Sequence, residues 1–149
     1  MSTTSGKAPS LAWALGLAGV IPFVATAVTL VVAPPNLAGP ALLALLTYAC
    51  AVLSFLGGAR WGAEVATPEP RGGSLAVAVL PALAGWALLT LPLSQPQQLG
   101  GFAVAFLAQW LWDVRSSRLP GWYRRLRTML TLGAVGSLLL ALARAAGII

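Results

Sequence analysis

No charged residue lies between Lys7 and Arg60, and none lies between Arg71 and Asp113. The apolar residues inside these gaps fall in blocks of roughly twenty, the length of helix that crosses about 30 Å of hydrocarbon at about 1.5 Å per residue. Soluble domains carry about 25% charged residues. This chain of 149 residues carries 8%, with 58% hydrophobic residues, too little charge to cover a water-facing surface. The blocks are continuous rather than alternating, so they do not read as the strands of a barrel. The pattern predicts an all-α polytopic membrane protein.

Five transmembrane helices are expected, packed as one compact bundle over residues 11–149 behind a short N-terminal tail over 1–10. The spans are placed at 11–33, 40–62, 74–93, 98–112 and 128–146. The fourth is the shortest and is expected to use Trp110 and Trp112 as interfacial anchors. The connectors "APPNLAGP", "TPEPRGG", "LSQPQQ" and "SSRLPG" hold the expected helix breakers. Pro22 and Pro81 fall inside spans, where each can kink its helix.

The net charge of +6 comes from nine basic and three acidic residues. These charges lie between apolar blocks, so they speak for topology and not for nucleic acid. In a five-span arrangement Lys7, Arg60, Arg71, Arg115, Arg118, Arg124, Arg125 and Arg127 fall on one side, and Arg144 falls on the other. The N-terminus is therefore expected in the cytoplasm and the C-terminus across the membrane. Ala25-Thr26-Ala27 also resembles a signal-peptidase site, but the apolar run continues unbroken through Val32, long enough to span.

The chain has no histidine and a single cysteine, Cys50. It therefore offers no His-ligated haem or metal and no Ser-His triad. No carboxylate sits near a span centre, as a proton-driven transporter would need, and no internal repeat is visible. No cofactor and no enzymatic activity are expected.

Three stretches carry the candidate residues. In "SFLGGARWG" (Ser54–Gly62), Gly57, Gly58 and Gly62 are expected to pack closely against another helix, Gly58 and Gly62 forming a GxxxG pair. Trp61 belongs to the interfacial belt, and Arg60 either anchors the helix end or is aimed into the bundle toward an anion. Glu64 is one helical turn beyond Arg60 and can share its face. In "QWLWDVR", Asp113 falls at the same depth as Arg60, so a pair between spans two and four is possible, against a local partner such as Arg115 or Arg118. "LPGWYRRLRTML" reads as an amphipathic entry into span five, with Trp122, Tyr123, Arg124, Arg125 and Arg127 at the inner interface. There they are expected to meet anionic headgroups or an acidic partner.

"LGLAGVIPF" (Leu15–Phe23), "TYACAVLSFLGGARWG" (Thr47–Gly62) and "LPGWYRRLRTMLTL" (Leu119–Leu132) resemble the DUF3429 family, small multi-pass proteins of bacterial inner membranes related to transmembrane protein 69 of eukaryotes. The resemblance covers nearly the whole chain and implies a small, uncleaved inner-membrane protein; with the bias of basic residues, the C-terminus is then expected in the periplasm. It brings no activity or catalytic residue. The leading expectation is an accessory, assembly or structural component acting through intramembrane helix contacts, within a larger membrane complex or a homo-oligomer. The alternative is a binder or transporter of a small anionic solute or lipid headgroup that uses Arg60 and the cytoplasmic arginines.

Overall fold

Proline and glycine decide where the first apolar block stops being one helix. In a computed structural model describing residues 10–116 and 121–149, α1 (Ser10–Ala18) and α2 (Ile21–Val32) are separated by a break at Gly19 and Val20. Pro22 sits in the first turn of α2, where its missing N–H costs no hydrogen bond. The amide of Gly19 closes α1 on the carbonyls of Leu15 and Gly16, at 3.0 Å each. Its carbonyl is released from the helical ladder and accepts the Tyr48 hydroxyl at 2.8 Å. Inside a membrane a freed backbone group needs such a partner. The predicted kink at Pro22 is a full break, bridged from the next helix.

The other elements are α3 (Pro35–Val65), α4 (Gly72–Thr90), α5 (Gln95–Arg115) and α6 (Gly121–Ala145). No strand occurs among the described residues. Helix α3 starts before the predicted span because Pro35 occupies its first turn, and Pro40 is carried inside it. It also runs through Gly57, Gly58 and Gly62 without interruption. Pro81 is likewise accommodated within α4.

Among the described residues four stretches are long and apolar enough to cross a membrane: Ser10–Val32, which joins α1 and α2, then Pro35–Val65, Gly72–Thr90 and Gly121–Ala145. Helix α5 has the length, 21 residues, but glutamines at its start and Gln109, Asp113 and Arg115 near its end lower its hydropathy. It extends beyond the predicted 98–112 at both ends. Its N-terminus is closed by a capping box, with Ser94 and Gln97 exchanging side-chain and backbone hydrogen bonds.

The helices close into a ring in which α3 lies between α4 and α2, α2 packs on α6, α6 on α5, and α5 returns to α4. Helices α3 and α5 also meet across the middle. The core between them is built on Leu45, Leu53, Leu99, Phe102, Phe106 and Leu138. Phe23 makes edge-to-face contacts with Tyr48 at 5.0 Å and Phe106 at 5.7 Å, placing an aromatic cluster under the break. Large apolar side chains of α4 such as Leu80, Leu83 and Trp86 point outward, as a hydrocarbon-facing helix requires.

Helices α3 and α4 approach each other closely, backbone against backbone. A Cβ on Gly57 would lie 2.5 Å from the Ala78 carbonyl oxygen and 3.5 Å from the Pro81 ring. One on Gly85 would lie 3.0 Å from Cys50 Sγ. Gly58 and Gly62 have nothing within 4 Å, which corrects their expected packing role: the GxxxG face is turned away from the neighbouring helices, and the contact falls on Gly57 alone. Gly57→Ala is expected to destabilise the bundle by about 1–3 kcal/mol, because α3 and α4 must separate. Gly58→Ala is expected to be neutral or stabilising by up to about 1 kcal/mol, since alanine is the better helix former. Thermal unfolding of both variants in detergent distinguishes them, and equal losses would contradict this packing.

Candidate functional site

The buried positions of α5 are Leu99, Phe102, Ala103, Phe106, Gln109 and Asp113, a single helical stripe that ends in a carboxylate. The buried stripe of α6 runs back through Ala141, Leu138, Ala134 and Thr131 to Arg127 and ends in a guanidinium. Because these helices are antiparallel neighbours, the two charged ends meet. Arg127 Nε donates to Asp113 Oδ2 at 2.8 Å. Arg60, from the last part of α3, brings its Nε to 3.6 Å from Oδ1 of the same carboxylate. Gln109 Nε2 donates to Oδ1 at 3.3 Å.

Asp113 is 1% exposed and Arg127 is 3% exposed. A carboxylate buried so deeply needs both charge partners and hydrogen bonds to offset its lost hydration. Here it receives them from α3, α5 and α6 together. The Arg60 guanidinium also stacks over the Trp112 ring, 4.1 Å from its centroid. A second tie joins α5 to α6: the Trp110 indole N–H donates to Thr128 Oγ1 at 3.0 Å, and that hydroxyl donates to the Arg124 carbonyl.

Glu64, also buried, fastens the connector between α3 and α4. Its carboxylate accepts the Arg71 amide N–H at 2.7 Å, with Arg71 Nε at 3.6 Å. The Arg71 side chain is largely exposed.

The structure thus brings Arg60 and Asp113 together, and adds Arg127 on the other side of the carboxylate. The placing of Arg127 at a lipid-facing interface is corrected: it lies on the core stripe of α6, in register with Thr131 and Leu138, so it points inward. Arg124 and Arg125 lie off that stripe and are exposed. Arg115 is exposed as well, and Trp61 is turned out. Trp122 and Tyr123 are half-buried and contact each other edge to face at 5.9 Å. Trp110 and Trp112 are half-buried and tied to α6 and α3, so their polar and ring contacts are made inside the bundle. Lys7 and Arg118 lie outside the described residues. Arg144 stands at the opposite end of the bundle, beside Leu30 and Gln95. Gln109 and Thr131 were not singled out by sequence, although extending the two core stripes finds both. No group of three or more His, Cys, Asp or Glu suited to a metal occurs among the described residues.

The profile of a family described as "Protein of unknown function (DUF3429)" matches residues 8–143. "Transmembrane protein 69" of Xenopus tropicalis is 33% identical over 142 residues, covering 88% of this chain and 53% of that relative. The chain therefore spans about half the length of the curated relative it matches. No solved structure matches it.

Removing Asp113 leaves two guanidinium groups facing each other in the bundle. Asp113→Ala is expected to cost about 3–5 kcal/mol and to lower accumulation in the membrane. Arg115→Ala, at an exposed position, is expected to stay within about 0.5 kcal/mol. Denaturation in detergent and membrane abundance measure both, and equal effects would contradict the assignment of Asp113 as the charge centre.

Proposed function

The chain belongs to the family described as proteins of unknown function, DUF3429, and from this we propose that it is a non-catalytic accessory, assembly or structural component of a bacterial inner membrane, acting through helix contacts. The observation that carries this reading is the use made of Arg60. Its guanidinium is held by Asp113 and by the Trp112 ring, so its charge fastens α3 to α5 inside the bundle and does not face an incoming solute. A binder built on Arg60 is correspondingly disfavoured.

In this proposal α5 crosses as the fourth of five spans. The end bearing Arg60, Asp113 and Arg127 faces the cytoplasm, and the C-terminus lies in the periplasm, following the bias of basic residues. The exposed Arg115, Arg124 and Arg125 then meet anionic headgroups of the inner leaflet, each contributing on the order of 1 kcal/mol. The outward apolar faces, α4 above all, are where a larger membrane complex or a second copy would pack.

Affinity purification of the tagged protein from its own membranes in mild detergent, followed by native mass spectrometry and proteomics, tests this. Stoichiometric recovery with one larger complex, or as a defined homo-oligomer, is expected. Recovery as an isolated monomer would contradict the proposal.

A further inference from the structure

The break between α1 and α2 leaves a cavity of about 350 Å³ bounded by α1, α2, α3, α5 and α6. Its volume is in the range of small-molecule sites, roughly 300–1,000 Å³. The walls are mostly apolar, with Val20, Phe23, Val52, Leu56, Phe106 and Leu130 among them. Leu15 and Phe55, which are exposed, and Ala51 place its mouth on the outer, apolar surface between α1 and α3.

Two side chains in this wall have unmet hydrogen-bonding capacity. Arg127 Nη2 and Thr131 Oγ1 are buried and have no hydrogen-bond partner among the described residues. Thr131 is 4% exposed. Thr26, Thr29, Thr47, Thr90 and Thr128 each donate to the carbonyl four residues back in their own helix, the usual resting place for a helical hydroxyl. Thr131 does not. A buried donor left without a partner costs about 1–3 kcal/mol, and more when it is charged, so a native protein that keeps two in one cavity wall is equipped to receive an acceptor. The charge balance points the same way. Arg60, Arg127 and Asp113 sum to two positive charges and one negative, a net +1 held largely out of water.

We propose that this cavity binds an amphiphile with an oxyanionic head and a hydrocarbon tail, taken laterally from the bilayer. The head oxygens accept from Arg127 Nη2 and Thr131 Oγ1 at the charged end of the bundle. The tail lies against Phe23, Leu56 and Phe106 and leaves past Ala51 and Phe55. The bound anion neutralises the surplus charge of the cluster. Arg127 thus has two roles, with Nε on Asp113 and Nη2 toward the ligand. The inference goes beyond the accessory role and stands whether or not a protein partner is found.

The test uses the full chain, delipidated in detergent and titrated by native mass spectrometry with oleate, with dioleoyl phosphatidylglycerol and with uncharged oleyl alcohol. Wild type is expected to take up one oxyanionic amphiphile per chain and to discriminate against the alcohol. Preference for oleate identifies a carboxylate head, and preference for phosphatidylglycerol identifies a phospholipid head. Thr131→Val keeps the side-chain shape and removes an unpaired hydroxyl, so its melting temperature without ligand should be unchanged or raised. Its affinity should fall about tenfold, the loss of one hydrogen bond to a charged acceptor. Ala51→Phe, placed at the exposed mouth, should abolish uptake. Failure of both anions to bind, binding of the alcohol equal to that of the anions, or variants that bind like wild type would overturn the proposal and leave a hydrated cavity only.

Discussion

The carboxylate of Asp113 sits between two guanidinium groups from different helices, and the arrangement of the bundle depends on satisfying it. Away from water a carboxylate loses a hydration free energy that one distant charge cannot replace. Here Arg127 supplies a direct charged hydrogen bond, Gln109 a neutral one, and Arg60 a second positive charge at longer range. Since these donors come from α3, α5 and α6, the carboxylate is satisfied only when the three helices are docked in one register. Helix α5, which unlike the other long helices has no stretch apolar enough to cross a membrane, gains most from this. Its polar residues on the core stripe are accepted because the neighbouring helices present matching groups.

The broken first span belongs to the same design. A continuous helix from Ser10 to Val32 would keep its backbone bonds internal, whereas the break releases the Gly19 carbonyl and needs the Tyr48 hydroxyl from α3. In return α2 wedges between α3 and α6, and α1, none of whose residues is buried, lies at the bundle's edge. The space beside the break is lined on one side by the residue that holds Asp113. The charge centre and the cavity are therefore neighbours through Arg127.

Much of this was legible in the sequence. Uncharged blocks of span length and breaker-rich connectors give the helices, and the matched depth of Arg60 and Asp113 made their pairing one possibility beside a local partner such as Arg115 or Arg118. What escaped is instructive. "YRRLRTML" reads as an amphipathic entry in which all the arginines face the membrane surface. Only the stripe that continues from Leu138 through Ala134 and Thr131 shows that Arg127 alone points inward. Gly58 and Gly62 match a packing motif, yet the contact is made by Gly57, because the motif specifies a spacing and not the rotation of the helix. The break at Gly19 depends on a hydroxyl twenty-nine residues away. Local propensity gives a proline kink but cannot show which partner stabilises it open.

The most direct measurement of the central claim is a double-mutant cycle between Asp113 and Arg127, with Asp113→Asn and Arg127→Met made singly and together and unfolding free energies measured in detergent. A buried, directly hydrogen-bonded charge pair predicts a coupling within about 0.5–3 kcal/mol, toward the upper end, with the double variant more stable than the sum of single losses implies. The same cycle between Asp113 and Arg60, at longer range and nearer the surface, should give a smaller value. Additive losses for Asp113 and Arg127 would contradict the account, because they would mean that the two groups do not hold α5 and α6 together.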